Sequence, residues 1–331
     1  MSARNPPVPQ KESVPDTHDF DCELEAHDLA GFWNARVPMH RPEPPMLWKW
    51  GPVRDGLVKA AATISMEFAE RRVIKLVNPA LPSNAASRSI QFNFSIVNPG
   101  EIARAHRHNI GAVRFVVEGK GAWTTVEGER FAMEPGDLIL TPNWTFHDHA
   151  NESSEPIIWL DGLDGPLIQA LNVALFESYP EATQPVRGAG TEREVGTTGV
   201  PHRFPWAGAY ARVSAMTAED DDPFDGARLR YADPVSGGDT LPTLGCELTR
   251  LAPGRKTQRH RHTSVALYHV VSGRGRTTVG EETIEWERGD TFVVPLWLWH
   301  SHENPHRDEA VLFSMNDRPA MQALRLYREE H

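Results

Sequence analysis

Two cysteines, Cys22 and Cys246, are all that the 331 residues contain. They are too few for a disulfide framework, and they lie far apart with no Cys-x-x-Cys spacing, so no thiolate metal site is expected. Free thiols in a reducing cytosol are the expected state. Long hydrophobic runs are missing too. No stretch approaches the roughly 20 apolar residues of a membrane span. The N-terminus, Met1-Ser2-Ala3-Arg4-Asn5-Pro6-Pro7, lacks the apolar core of a signal peptide. A cytoplasmic chain is therefore expected. Positive charge is in deficit, with 34 Lys and Arg against 45 Asp and Glu and a formal net charge of -11. That balance argues against general binding to nucleic acid or to an anionic membrane. It leaves room for a small anionic substrate, because one buried Arg reverses the field locally.

What the chain does contain is 27 prolines and 25 glycines set among short apolar runs. Its length predicts two domains of ordinary size. The first residues, to about Asp16-Thr17-His18, are rich in Pro and charge and read as a loose arm. Leu24, His27, Asp28, Leu29, Phe32 and Trp33 predict a short helix from Asp21 to about Arg36, before a Pro-rich break from Pro38 to Pro45. A second helix is predicted from Val53 to about Ala62, then a strand from Arg72 to Val77 stopped by Asn78-Pro79. From Ile90 onward the strand-like runs are Phe92 to Val97, Val113 to Val117, Ala122 to Val126, Leu138 to Thr141 and Ile157 to Leu160. They resume with Cys246 to Leu251, Ala266 to Val271, Arg276 to Val279 and Thr291 to Val294. This spacing predicts an all-β barrel or sandwich. Between the two groups, Leu167 to Phe176 reads as a helix and Ser178 to about Gly226 as a connector with little regular structure. Arg318 to about Arg328 reads as a C-terminal helix.

The two β regions are copies of each other. The first reads Pro99-Gly100, His106-x-His108, Glu118-Gly119-x-Gly121, Gly136-Asp137, Thr141-Pro142 and His147-x-His149-x-Asn151. The second reads Pro253-Gly254, His260-x-His262, Ser272-Gly273-x-Gly275, Gly289-Asp290, Val294-Pro295 and His300-x-His302-x-Asn304. The order is the same and the spacing nearly equal, so the chain is read as a tandem duplication of one small β-barrel. The expected divisions are an arm with helices over 1–85, a first barrel over 86–166, a helical segment and linker over 167–226, a second barrel over 227–316 and a C-terminal helix over 317–331.

Side chains alternate faces along a strand, so His106 and His108 point the same way. His147 arrives from a later strand as a third imidazole. Three His ligands on one side of a metal leave up to three positions open, and imidazole suits Zn, Cu, Fe and Ni alike. Surface histidines in a basic patch are the plain alternative, but that reading does not account for a third His in register with a duplicated motif.

These spaced residues match the two sequence motifs of the cupin superfamily. Cupins usually supply a Glu shortly after the His-x-His pair; here Arg114 stands in that region. Three neutral imidazoles beside a guanidinium leave positive charge uncompensated until an anion enters. A carboxylate with an ortho hydroxyl could chelate the metal and meet the Arg. In the second barrel His260, His262 and His300 could bind a metal by the same geometry. Leu267 and Tyr268 occupy the region of the usual Glu there, and no Arg matches Arg114.

The run His106-Arg107-His108 through Arg114-Phe115-Val116-Val117-Glu118-Gly119, with Gly136 to Pro142 and Trp159-Leu160-Asp161-Gly162-Leu163-Asp164, resembles the gentisate 1,2-dioxygenase family, which includes salicylate and 1-hydroxy-2-naphthoate dioxygenases. The resemblance implies a bicupin of two jelly-roll barrels with an N-terminal helical segment. It also implies Fe(II) on His106, His108 and His147, with O2 as co-substrate, a homotetramer, and cleavage between the carboxyl-bearing and hydroxyl-bearing ring carbons. It makes Arg114 the anchor for the substrate's carboxylate or hydroxyl. His149 and Asp161 fall where family members orient substrate and move protons, and the second barrel is empty or degenerate in many members. Ahead of Pro99 the family often carries Trp, Gly and Gln, where this chain has Gln91, Asn93 and Ser95. Arg104 replaces a common Pro. The resemblance implies gentisate or a substituted salicylate as substrate, and the altered ring pocket points away from gentisate toward a substituted salicylate such as a chloro or nitro acid.

The remaining site residues have plainer alternatives. His149 shares a strand face with His147, and its plain role is structural. Asp161 could cap a turn. Arg71, Arg72 and Lys75 offer further positive charge from the N-terminal segment, or face solvent. Trp123 and Trp144 suit core or rim packing. The rival function class is a non-redox bicupin, either an isomerase or decarboxylase or a small-ligand binding module.

Overall fold

A computed structural model describes residues 16–34, 43–82, 84–189, 202–232 and 237–331. It separates into two compact units, Met1–Arg41 and Pro42–His331. In the first, a helix spans His18–Glu25 and a 3-10 turn spans Phe32–Asn34, with Phe20 stacked on Trp33 at 5.6 Å. The expected helix from Asp21 to Arg36 is thus broken, with Asp28 in the left-handed region at φ 57. Its last residues, 35 and 36, lie outside the described residues, as does most of the Pro-rich break.

The second unit holds both barrels. In the first barrel one sheet runs Arg203–Phe204, Leu138–Thr141, Ala112–Glu118, Ile157–Leu163, Gln91–Val97 and Arg72–Lys75 in hydrogen-bonded order. The sheet that faces it runs Phe176–Ser178, Ile102–His108, His147–Asn151, Ala122–Val126, Glu129–Met133 and Gly188–Ala189. The second barrel repeats this plan with Thr291–Val294, Ala266–Ser272, Ala310–Asn316, Gly245–Leu251 and Gly226–Tyr231 against Glu282–Glu287, Arg274–Val279 and His300–Glu303. The repeated glycine motif has a steric cause. Gly119 and Gly273 lie at φ 84 and 79, and a Cβ would meet the carbonyl oxygens of Pro156 and Glu309 at 2.3 and 2.4 Å.

Period-two alternation gives the first barrel's inner sheet two different faces. Phe92, Phe94, Val113, Phe115, Ile158 and Leu160 are buried in one cluster with Leu248, Leu267, Phe313 and Met315 of the second barrel. Phe115 stacks on Phe313 with centroids 4.3 Å apart, a contact type that adds about 0.5–1.5 kcal/mol to plain burial. The intervening residues of the same strands face into the first barrel and build the site.

The connector contains more structure than its Pro and Gly content predicts. The helix stops at Ala170 rather than Phe176. Phe176–Ser178 then pairs with Ile102–His108, Gly188–Ala189 with Glu129–Met133, and Arg203–Phe204 with Leu138–Thr141. Trp206–Ser214 forms a further helix. Its start copies an earlier one: Trp206 N donates to Asp137 Oδ1 and packs on Gly136, as Trp50 N, at the head of the helix Trp50–Thr63, donates to Asp290 Oδ1 and packs on Gly289. Each barrel therefore carries on its Gly-Asp turn the helix that leads into the other. The C-terminal segment likewise ends its helix at Ala323 and finishes as a strand, Glu329–Glu330, paired with Arg261–His262.

Candidate metal centre

His106 and His108 lie on the strand Ile102–His108 and His147 on its neighbour His147–Asn151, with His106 directly opposite His147. The three offer ligand atoms that all lie within 4.8 Å of one another. The ring of His147 stands 4.2 Å from that of His106 and 4.9 Å from that of His108. Backbone carbonyls fix the tautomers: Nδ1 of His108 donates to Ile110 O at 2.7 Å and Nδ1 of His147 to Thr145 O at 2.9 Å. Both Nε2 atoms are thereby left as acceptors, and that of His147 is buried without a hydrogen-bond partner. A buried, unpaired imidazole lone pair aimed at two others is what a metal ion satisfies.

Burial and the Arg71 guanidinium push His106 down to about 2, and burial pushes His108 down to about 4. His147 is held well below its ordinary value by burial and by Arg114. All three are therefore neutral at physiological pH, which is the ligating form. Arg71 Nη2 lies 2.7 Å from His106 Nε2, so a metal on this triad requires the guanidinium to withdraw, because two cations cannot share one imidazole. His106 Nδ1 also bonds the carbonyl of Arg104 at 2.9 Å, a group that a proline in that place would supply as well.

The inner face of the adjoining sheet brings the other expected residues together. Asp161 pairs across the sheet with Arg114 on one side and Asn93 on the other, with Ser95 and Gln91 in the same column of side chains as Asn93. Arg114 Nε lies 3.2 Å from Asp161 Oδ1, and Arg114 Nη1 donates to Thr141 Oγ1 at 2.6 Å. Ser95 Oγ donates to Asp161 Oδ2 at 2.7 Å, and Gln91 Nε2 to Asn93 Oδ1 at 3.0 Å. Asp161 is thus a strand residue that fixes Arg114, not a turn cap. His149, two residues after His147 on the same strand, is buried with Nδ1 2.9 Å from Thr124 Oγ1 and its ring 5.1 Å from that of Trp159.

Not every expected residue arrives. Arg72 is turned to the opposite face, where it is buried, donates to Ala61 O at 2.8 Å and pairs with Glu101. It binds structure, not substrate, which corrects the expectation; alternation next to Arg71 is the reason. Lys75 shares the face of Asn93 but is exposed at the strand edge. Trp144 is a surface residue with Arg107 stacked 4.5 Å over it. The sequence reading took Thr141 only as part of the repeated Thr141-Pro142 turn, and it missed Thr124, which carries no motif, and Phe176. Phe176 lies over His106, with centroids 5.3 Å apart and planes at 21°. Its apolar run mimicked a helix end, and only its pairing with the His strand reveals its place.

A cavity of about 520 Å3 lies between the barrels among Trp50, Phe115, Trp206 and His269 and contains none of the triad. The triad lies inside the first barrel, not in that groove.

A cupin domain model matches residues 93–162 and 247–316. Over its full length the chain is 36% identical to the 1-hydroxy-2-naphthoate 1,2-dioxygenase of Nocardioides sp. (strain KP7), covering 92% of that protein. It is 41% identical to a 5-aminosalicylate 1,2-dioxygenase of Comamonas sp., over 96% of this chain and 92% of that one. Among solved structures, salicylate 1,2-dioxygenase from Pseudaminobacter salicylatoxidans superposes with a TM-score of 0.84 at 32% identity, covering 97% of this chain and 99% of the other. Together with two cupin barrels and a buried His triad beside Arg114, these likenesses establish that the chain belongs to the bicupin family of gentisate, salicylate and 1-hydroxy-2-naphthoate 1,2-dioxygenases.

Proposed function

We propose that the first barrel holds Fe(II) on His106, His108 and His147 and opens the ring of an aromatic ortho-hydroxy acid between its carboxyl-bearing and hydroxyl-bearing carbons. The observation that carries this reading is the charge balance. Arg71 and Arg114 stand beside three neutral imidazoles, offset in part by Asp161, which pairs with Arg114, and to a smaller extent by Glu70. A divalent metal raises the surplus further, so an anionic chelating ligand is the natural complement. Relatives named for 1-hydroxy-2-naphthoate, 5-aminosalicylate and gentisate share the ortho-hydroxy carboxylate.

Fe(II) in this site supplies the one-electron chemistry that lets ground-state O2 react with a closed-shell ring. The protein supplies placement. Arg114, held between Asp161 and Thr141, presents a fixed cation to the substrate's oxygen atoms. Arg71, beside His106, offers a second cation to the substrate's oxygen atoms. Gln91, Asn93 and Ser95 give the ring pocket a polar wall that suits a substituent able to hydrogen-bond at ring position 5. Nothing favours a non-redox role. The reading also takes in a homotetramer in the cytosol; both cysteines are free, and no helix among the described residues is long and apolar enough to cross a membrane.

The test is O2 consumption by anaerobically Fe(II)-loaded protein with salicylate, gentisate, 5-amino-, 5-chloro- and 5-nitrosalicylate and 1-hydroxy-2-naphthoate. Stoichiometric uptake with one acid is expected. An iron-loaded protein that consumes none with any of them would refute ring opening.

A further inference from the structure

The second barrel has its own triad. His260, His262 and His300 bring ligand atoms within 4.8 Å of one another, and the ring of His300 stands 4.2 Å from His260 and 5.0 Å from His262. The tautomer locks repeat as well. His262 Nδ1 donates to Ser264 O at 2.8 Å and His300 Nδ1 to Leu298 O at 3.0 Å, the same two-residue offsets as in the first barrel. His300 Nε2 and both ring nitrogens of His260 are buried without hydrogen-bond partners. Leaving such groups unmet is costly, and a cation satisfies them together.

The neighbouring charge is reversed. Arg71 directly precedes the strand Arg72–Lys75 and presses a guanidinium on His106. Asp225 directly precedes the corresponding strand Gly226–Tyr231 and sets Oδ1 3.8 Å from His260 Nε2. The two groups come from corresponding edge strands but not from the same position, since Val73 pairs with Ser95 and Arg228 with Thr249, which places Asp225 one residue before the match of Arg71. Ligands about 2.0–2.1 Å from a metal lie roughly 3–3.4 Å apart, so the carboxylate needs only a small side-chain adjustment to join the set. Its other oxygen is held by Arg228 at 2.6 Å.

We propose that the second barrel is a separate divalent-metal site in which His260, His262, His300 and Asp225 form a four-ligand, charge-compensated set. The chain therefore carries two metals of unlike character. The cavity beside this set, about 280 Å3, includes Tyr268, Arg228, Glu247, Arg318 and Tyr327 in its lining. Its charges are already paired, with Arg318 2.9 Å from Glu247. Tyr268 stands where the first barrel has Arg114, and Ser314 where it has Asp161. No cation is left over for an aromatic carboxylate, so this metal does not open rings.

Metal content per chain is measured by plasma mass spectrometry after anaerobic loading with Fe(II) or Mn(II) and desalting, in wild type, His147→Ala, His262→Gln and the double variant. Two, one, one and no equivalents are expected, with O2 uptake surviving in His262→Gln. One equivalent in wild type with none in His147→Ala overturns the proposal. Asp225→Asn is expected to weaken the metal retained by His147→Ala at least tenfold in chelator competition; unchanged affinity removes the carboxylate and the four-ligand set with it. If His262→Gln does not fold, Co(II) titration of His147→Ala decides, since ligand-field bands support a second site and their absence refutes it. Two bound metals without turnover would leave this site standing and strike only the ring-opening reading.

Discussion

The two barrels hold matching triads, in which His108 and His262, and His147 and His300, are fixed through Nδ1 by the same kind of backbone carbonyl, and they differ in what surrounds them. The first places Arg114 and Arg71 against its triad; the second has Tyr268 in the place of Arg114 and brings Asp225 beside His260. The His-x-His frame is thus a property of the barrel, set by strand alternation and by carbonyls two residues away. Reactivity is a property of the charges around it. The first site is left wanting an anion, and the second is neutralised from within. The buried pair His149 and Thr124 recurs as His302 and Thr277, each at 2.9 Å. What both barrels share serves the frame, so His149 is better placed as support for the triad strand than as a group that meets substrate.

The comparison can be broken first at Arg114. Arg114→Tyr gives the first barrel the residue of the second. Iron content should stay near wild type while kcat/KM falls about 10²–10³-fold, the usual cost of removing one member of a buried charged pair. Full turnover in this variant would detach reactivity from the guanidinium. Next is Asp161→Ser, which copies Ser314. It leaves the cation but frees its Nε end, so KM should rise about tenfold with a smaller change in kcat; unchanged steady-state kinetics would make Asp161 a bystander.

The smallest effect concerns stability. His269 occupies the position of Phe115 and lies between the barrels, its ring 5.9 Å from that of Phe94. Burial pushes it down to about 3. The unfolded chain takes up a proton near the ordinary value of about 6.5, which the folded chain refuses. This contribution is complete above that pH and is lost, at about 1.4 kcal/mol per pH unit, as pH falls from there toward 3. His269→Phe should flatten the decline of Tm between pH 7 and pH 5 relative to wild type, and an equally steep decline would show that the proton goes elsewhere.

Much of this was legible in the sequence. The duplicated Gly and His motifs carry fixed backbone demands, so the barrels, most strand bounds and both triads follow from spacing. Arg114 was readable because it stands where a carboxylate is usual. Face assignments beside an irregular segment were not: Arg71 and Arg72 look equivalent until the edge strand's register is known. The connector was misread for a related cause. Strands of two or three residues, such as Arg203–Phe204, are held by their partners and not by their own composition. The copy of Trp50 at Trp206 was hidden because only the tryptophan and its Gly-Asp seat repeat.

Pocket and joint are written on opposite sides of one sheet, with Arg114 and Phe115, or Asp161 and Gly162, as successive letters. Gly162 passes so near the second barrel that a Cβ would fall 2.0 Å from Met315 Cε. A one-residue deletion in either strand would turn a guanidinium into the apolar joint and a phenyl ring toward the metal. Substrate range in this scaffold is therefore tunable by exchanging side chains at every second position and closed to any change of strand length, so a library for new ring substituents should hold length fixed and vary 91, 93 and 95 first.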